Sequence, residues 1–120
     1  MLESKVIIRH YKATELINYI FNSLLIDPEN YAKKTRERTH VFARQLFCYY
    51  CVDKLNYGKS ELGMFLNQTH ATIIHSAKKI KELKDVNDKY IVNYLKYNEH
   101  QILEICKKKL ENCKINVVYL

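Results

Sequence analysis

The sequence predicts an all-α protein, a compact bundle of about six to seven helices that contains a helix-turn-helix. Only two glycines and one proline occur among the 120 residues, whereas sheets and tight hairpins depend on those residue types. Apolar residues recur at intervals of three and four along much of the chain, which is the periodicity of amphipathic helices. With 48% apolar residues the chain can bury one modest core, so we expect one main domain.

The predicted order begins with an arm, a helix and a short helical turn. Residues 1–13 have a mixed composition and are expected to form an irregular arm. Thr14 suits the N-cap of a helix whose apolar residues repeat through about Leu25. Pro28 suits the first position of a short helix, which leads into the basic stretch KKTRER at 33–38.

A central helix is predicted from Thr39 to about Leu55. Apolar side chains surround most of its circumference, and a helix that is apolar nearly all round is typical of a protein core. Arg44 is the exception in this run. Taken alone, it would be a surface charge that extends past its neighbours into solvent.

Four cysteines occur, and two of them, Cys48 and Cys51, have the CxxC spacing of zinc sites. That pair lies in an apolar stretch without the glycine or proline of a zinc knuckle. Cys106 and Cys113 are too far apart to form a second close pair. Buried free thiols in a reducing cytoplasm are therefore favoured over a thiol–metal site.

A short helix, a tight turn and a longer basic helix follow. Ser60 suits the N-cap of a helix at 61–66, and Thr69 suits the N-cap of a helix at 70–83. Two helices joined by about three residues are the helix-turn-helix arrangement.

The helix at 70–83 has one apolar and one polar side. The residues expected to be buried are Ile73, Ile74, Ala77 and Ile80. The residues expected on the outer side are Thr72, His75, Ser76 and Lys79, flanked by Ala71 and Lys78. None of these outer residues is acidic, whereas a solvated face usually mixes glutamate with lysine. Small residues at a helix start also allow close approach to base edges in a DNA major groove, so a DNA-binding surface is favoured.

Two further helices and a tail are predicted next. Residues 85–98 and 99–112 each carry apolar residues at helical spacing. The apolar stretch at 115–120 would pack back, pair with a partner chain or stay loose. We expect the domain to cover 14–98, with 99–120 as an extra helix and tail available to a homodimer or a protein partner.

Net charge and motif content narrow the range of possible functions. The formal net charge of +7 favours a polyanionic partner, nucleic acid first and an anionic membrane surface second. The sequence has no signal peptide and no apolar run of membrane-spanning length, so we expect a cytoplasmic protein. It has no glycine-rich phosphate loop, no carboxylate cluster and no histidine pair at helical spacing. We therefore expect no enzyme activity, no cofactor, no metal and no bound nucleotide.

The stretch TRERTHVFARQLFCYYCVDKLNYGKSELGMFLNQTHATIIHSAKKI resembles the C-terminal DNA-binding domain of the bacterial replication initiator DnaA. The shared features are a basic loop containing arginine, the ARQ sequence, a helix with Ser60 and Gly63, and the helix THATIIHSAKKI. The similarity runs from about residue 14 to residue 97. It implies an all-helical domain whose helix-turn-helix enters the major groove of double-stranded DNA, in replication control or transcription regulation.

The resemblance also implies roles for individual residues. Arg44 would enter the minor groove. The residues at major-groove base edges would be Thr69, His70, Ala71 and Thr72, and the phosphate contacts would come from Thr72 and His75. Contacts to the DNA backbone from the basic loop and the turn would come from Arg36, Arg38 and Lys59. Ser60, Gln68, Lys78 and Lys79 complete the predicted DNA-binding set.

The predicted recognition helix departs from the family's usual sequence, and three of the replaced side chains change the expected polar contacts. The family's usual RDHSTV or RDHTTV is QTHATI here, so Gln68 replaces an arginine and Ala71 lacks a hydroxyl group. Thr69 replaces an aspartate that accepts from a cytosine amino group. The cationic contacts survive, so we expect binding to an altered site or without sequence preference.

The initiator's ATPase module is missing from the sequence, which implies a stand-alone protein in the bacterial nucleoid or in a phage-infected cell. It would be a regulator, a phage or mobile-element protein, or a decoy for initiator sites. The alternative is a protein-interaction or phage structural module that keeps the fold but has lost sequence-specific DNA recognition. The replaced side chains Thr69 and Ala71 favour the alternative, and the retained positive charge opposes it.

Overall fold

The computed structural model describes residues 2–33 and 35–107. This part of the chain is all-helical, which confirms the predicted class, but it forms five α-helices rather than six to seven. They are α1 (Leu2–Ser23), α2 (Arg38–Asp53), α3 (Lys59–Leu66), α4 (His70–Asp85) and α5 (Lys89–Lys107). A single 3-10 turn, Pro28–Asn30, lies between α1 and α2. None of the described helices is both long and apolar enough to span a membrane.

The first helix is longer than predicted. It begins at Leu2, so the expected irregular arm at 1–13 is wrong over the residues described, which form the first half of α1. Thr14 lies inside this helix, where its hydroxyl group donates to the carbonyl of His10 at 2.9 Å. The arm contains no glycine or proline, so nothing in the sequence stops the helix from extending backwards.

The last described helix is also longer than predicted. Residues 89–107 form one continuous helix, so the expected break between 98 and 99 is wrong. The Asn98 amide donates to the carbonyl of Tyr94 at 2.8 Å within the helix. Asn98 therefore satisfies its polar group without ending the helix. The rest of the predicted C-terminal helix and the apolar stretch 115–120 lie outside the described residues.

The core is built around α2. Its Leu46, Phe47 and Tyr50 are almost completely buried. Helix α4 packs chiefly against α2 and buries Ile73 and Ile80, whereas α5 packs chiefly against α1. The central position predicted for α2 is confirmed, and among the described residues one side of α4 is exposed.

Polar side chains tie α1 to α5. The hydroxyl of Tyr19 donates to Oδ1 of Asn98 at 2.8 Å. The hydroxyls of Ser23 and Tyr94 are 2.7 Å apart. These bonds fix the first described helix against the last.

The three cysteines within the described range, Cys48, Cys51 and Cys106, are buried thiols. Burial raises the pKa of Cys48 to about 12 and that of Cys106 to about 11. Thiols with such values stay protonated at neutral pH and are poor nucleophiles and metal ligands. The described residues contain no cluster of three metal-binding side chains.

Candidate nucleic-acid interface

A tight turn holds α3 against α4. Asn67 ends α3 in the left-handed region, with φ 54° and ψ 49°, a conformation that asparagine adopts more readily than most residues. The next amide, that of Gln68, donates to the carbonyl of Gly63 at 2.8 Å. Because a Cβ at Gly63 would lie 2.6 Å from the Gln68 carbonyl oxygen, only glycine permits this approach. The predicted helix-turn-helix is present.

Thr69 caps α4, as predicted. Its side-chain oxygen accepts from the backbone amide of Thr72 at 3.2 Å. The Thr69 and Thr72 hydroxyl oxygens are also 2.8 Å apart, so one of them donates to the other. Of the two hydroxyl protons, one is used within this pair and the other remains available to an outside acceptor.

Helix α4 buries Ile73, Ser76 and Ile80. The prediction that Ile74 is buried is wrong, since its side chain is 41% exposed, and Ser76, expected on the outside, is 7% exposed. Positions 73, 76 and 80 form one stripe at helical spacing, and position 74 falls beside it. The small side chain of Ser76 is buried where α4 packs against α2.

A cleft of about 770 Å³ opens between the basic loop, α3 and the start of α4. It brings together seven of the predicted DNA-binding residues, namely Arg36, Arg44, Ser60, Gln68, Thr69, His70 and Thr72. Met64 also lines this cleft and is 85% exposed, although sequence reasoning did not select it. The signal was present, since Met64 lies four residues after Ser60 and therefore on the same side of α3.

A second cleft, of about 460 Å³, lies between the basic loop, α2, the later half of α4 and the start of α5. Three predicted residues, Arg36, Arg38 and Lys79, meet there, together with the acidic Asp88. Arg36 borders both clefts and so connects them into one surface.

The remaining predicted residues lie outside both clefts and are exposed. Lys59 is the first residue of α3. Ala71, His75 and Lys78 lie on the side of α4 away from the core. The exposed side of α4 is thus flanked by the two clefts, and we call this combined area the α4 surface.

Arg44 is buried, which differs from one of its two sequence interpretations and does not test the other. The expectation of a solvent-extended surface charge is wrong, since the side chain is only 7% exposed. Its Nη1 donates to the carbonyl of Lys33 at 3.0 Å, and its Nη2 donates to the carbonyl of Thr35 at 2.7 Å. Burial lowers the pKa of Arg44 from its usual value, but an arginine remains charged in proteins. Its minor-groove role stays a prediction.

Residues 13–80 match the family described as the bacterial dnaA protein helix-turn-helix. This segment is more than half of the chain, and it contains α2, α3 and the part of α4 that forms the turn and the exposed side. The chain belongs to this family. Every residue of the predicted DNA-binding set falls within the segment that matches the DnaA family.

Relatives of this DnaA-family chain are chromosomal replication initiator proteins DnaA. The protein from Ureaplasma parvum serovar 3 is 30% identical over 81 residues, which is 67% of this chain and 18% of the relative. The protein from Thermosipho melanesiensis is 25% identical over 85 residues, which is 71% of this chain and 19% of the relative. The chain thus spans under a fifth of the length of these relatives. No solved structure matches.

Proposed function

We propose that this chain binds double-stranded DNA through the α4 surface and acts in the control of replication initiation. The observation that carries the proposal is the position of Arg36, which borders both clefts beside α4. Cations from the basic loop and from α4 therefore converge on one side of the molecule. Membership of the DnaA family and the names of the relatives, which are replication initiators, support the same function.

The start of α4 is suited to the major groove. Residues 69–72 are small or carry short polar groups, so the helix end can approach base edges closely. The free hydroxyl proton of the Thr69–Thr72 pair can reach a phosphate or base acceptor. His75 and Lys78, further along the exposed side, would contact the phosphates that border the groove.

The basic loop would hold the adjacent DNA backbone. Arg36 and Arg38 share the second cleft with Lys79, so a phosphate strand passing beside α4 would meet cations from two separate segments. Affinity from such contacts comes largely from released counterions and falls steeply as salt rises. Sequence preference would come from residues 68–72, where the replaced side chains predict an altered site.

Fluorescence anisotropy on a random duplex and on an initiator-box duplex, at two salt concentrations, tests the function. We expect both duplexes to bind at low salt and binding to weaken strongly at higher salt. A preference for the box would show that QTHATI still reads the family's site. If neither duplex binds at low salt, the DNA-binding proposal is wrong.

A second candidate function is a homodimer or protein contact along α5. Val92 and Tyr97 are exposed on this helix, and a third cleft of about 600 Å³ lies beside Val92 and Leu95. Light scattering across a concentration series tests for self-association. A monomer at all concentrations argues against the homodimer.

A further inference from the structure

The basic loop has few hydrogen bonds that hold it in place. Within the described part of the chain, its backbone amides bond only to near neighbours. Lys33 donates to the carbonyl of Asn30, and Thr35 donates to the carbonyl of Lys33. The amide of Glu37 donates to the Thr35 hydroxyl oxygen at 3.3 Å. These bonds shape the loop locally. At its far end Glu37 is attached to the first turn of α2, where its carbonyl accepts from the amide of Val41 at 2.9 Å and its carboxylate lies 3.1 Å from Nδ1 of His40. The backbone amides of Lys33 and Thr35 make no such bond to an α-helix.

Arg44 supplies an attachment of that kind. It projects from α2, where the neighbouring Ala43 and the residues one turn later are fully buried, so its backbone is fixed in the core. One guanidinium spans two loop carbonyls, those of Lys33 and Thr35, which are eleven and nine residues away along the chain. We propose that Arg44 is a positioning residue that holds the basic loop so that Arg36 stands beside α4, and this rests on the proposed function.

The geometry favours this role over direct contact with DNA. Both terminal nitrogens of Arg44 already donate to the loop. To insert into a DNA groove, the guanidinium would have to leave the Thr35 carbonyl without a donor, give up its bond to the Lys33 carbonyl and release the loop that carries Arg36. Neighbouring Arg36 is exposed and borders both clefts, so it is free to meet the phosphates instead.

Lysine cannot replace arginine in this arrangement. Its ammonium is a compact point charge, whereas the two bonds of Arg44 come from separate nitrogens of a planar fork. Arg44→Lys therefore keeps the charge but weakens the attachment. A residue that contacts DNA through charge alone would largely tolerate the same change.

A double-mutant cycle on DNA affinity decides between the two roles. We expect Arg44→Lys to weaken binding to a random duplex by at least about threefold, a factor in the range of coupled neighbours. In the Arg36→Ala background the same change should have less than about a twofold effect. An equal loss in both backgrounds, or no loss in either, overturns the proposal. Lys96→Arg, on α5, exchanges the same residue types away from both clefts and should leave affinity unchanged.

Limited trypsin digestion of the DNA-free protein gives a readout that does not depend on DNA binding. We expect faster cleavage after Arg36 in Arg44→Lys, and in Arg44→Met, which fills similar space without donors. Thermal unfolding checks that each variant remains folded. Unchanged loop cleavage in both folded variants overturns the proposal. If the wild-type protein binds no duplex, the DNA-binding role fails, and the digestion still decides whether Arg44 holds the loop.

Discussion

The carbonyl oxygen of Gln68 occupies the space that a side chain at Gly63 would need. A Cβ at position 63 would lie 2.6 Å from that oxygen, while the Gln68 amide donates to the Gly63 carbonyl at 2.8 Å. The contact between Gly63 and Gln68 is therefore made by backbone atoms of both residues. This contact sets how closely α3 and the start of α4 can lie.

Gly63→Ala should destabilise the protein, because backbone rather than a flexible side chain must move to admit the methyl group. We expect the free energy of unfolding to fall by about 1–3 kcal/mol, measured by urea denaturation. The matched control is Gly58→Ser, where the nearest atom is Oε1 of Glu61 at 3.1 Å, the end of a flexible side chain. Serine also suits that N-cap position. Equal stability of the two variants would contradict the argument.

Thr69→Ala should remove the cap of α4. We expect a loss of about 1 kcal/mol in the free energy of unfolding, because the Thr72 amide loses its acceptor. Thr69→Ser keeps an acceptor at the same position and should remain close to wild type. If both variants lose the same stability, the side-chain oxygen at position 69 does not account for the stabilising effect of the cap.

Thr69→Asp restores the residue that the family usually carries. Aspartate is also a strong N-cap, so we expect the melting temperature to be kept. An added carboxylate near the base edges can accept from a cytosine amino group. We therefore expect a larger ratio of affinities for initiator-box over random duplex, measured by anisotropy, and an unchanged ratio would argue against base contact at this position.

Lys79→Ala should weaken binding to all duplexes about equally, since a phosphate contact carries no sequence information. The slope of log affinity against log salt should become shallower by roughly one unit. Lys96→Ala is the control, because Lys96 lies on α5 and lines the third cleft rather than either of the two clefts that form the α4 surface. A change in slope as large in the control would assign the effect to overall charge.

Stability should fall as the solution becomes alkaline. The usual pKa of a cysteine thiol is 9.0, whereas burial raises the pKa of Cys48 to about 12. Between these values the unfolded thiol ionises and the folded thiol does not, so rising pH favours the unfolded state. Burial also raises the pKa of Tyr94 to about 12, which acts in the same direction.

We therefore expect the urea midpoint to drop progressively from about pH 9 upwards. Cys48→Ala should make the drop shallower, whereas Tyr97→Phe, which changes an exposed tyrosine, should leave it unaltered. A midpoint that stays constant from pH 8 to pH 11 would show that buried thiols and phenols do not control stability in this range.

The helix-turn-helix could be predicted because its signals are local. Thr69 is a strong cap, Asn67 and Gln68 interrupt the pattern, and the apolar spacing resumes at Ile73. The burial of individual side chains on α4 was harder to predict, because hydropathy favours burial of Ile74 over burial of Ser76. Which of the two faces inward depends on where α2 lies, and the sequence of α4 does not contain that information.

Long-range contacts explain why the structure differs from the sequence prediction at Arg44 and Asn98. Nothing local shows that a loop eleven residues away offers two carbonyls to Arg44, so its burial was not foreseen. The sequence predicts a helix that ends at residue 98, yet Asn98 lies inside α5 and its side-chain oxygen accepts from the Tyr19 hydroxyl across the bundle. The polar groups of Arg44 and Asn98 are thus satisfied by partners that are distant in the sequence, and local patterns do not reveal such partners.

The pairing of α1 with α5 has a consequence for how the chain folds. Lys12 donates to the carbonyl of Cys106, a contact between residues 94 positions apart. Such a contact closes nearly the whole described chain, and closure over that distance costs entropy before burial repays it. A fragment of residues 13–80 would lose the apolar contacts that Ile91 and Tyr94 make with the core. We therefore expect the unit that folds cooperatively to be larger than the matched family segment and to include α5.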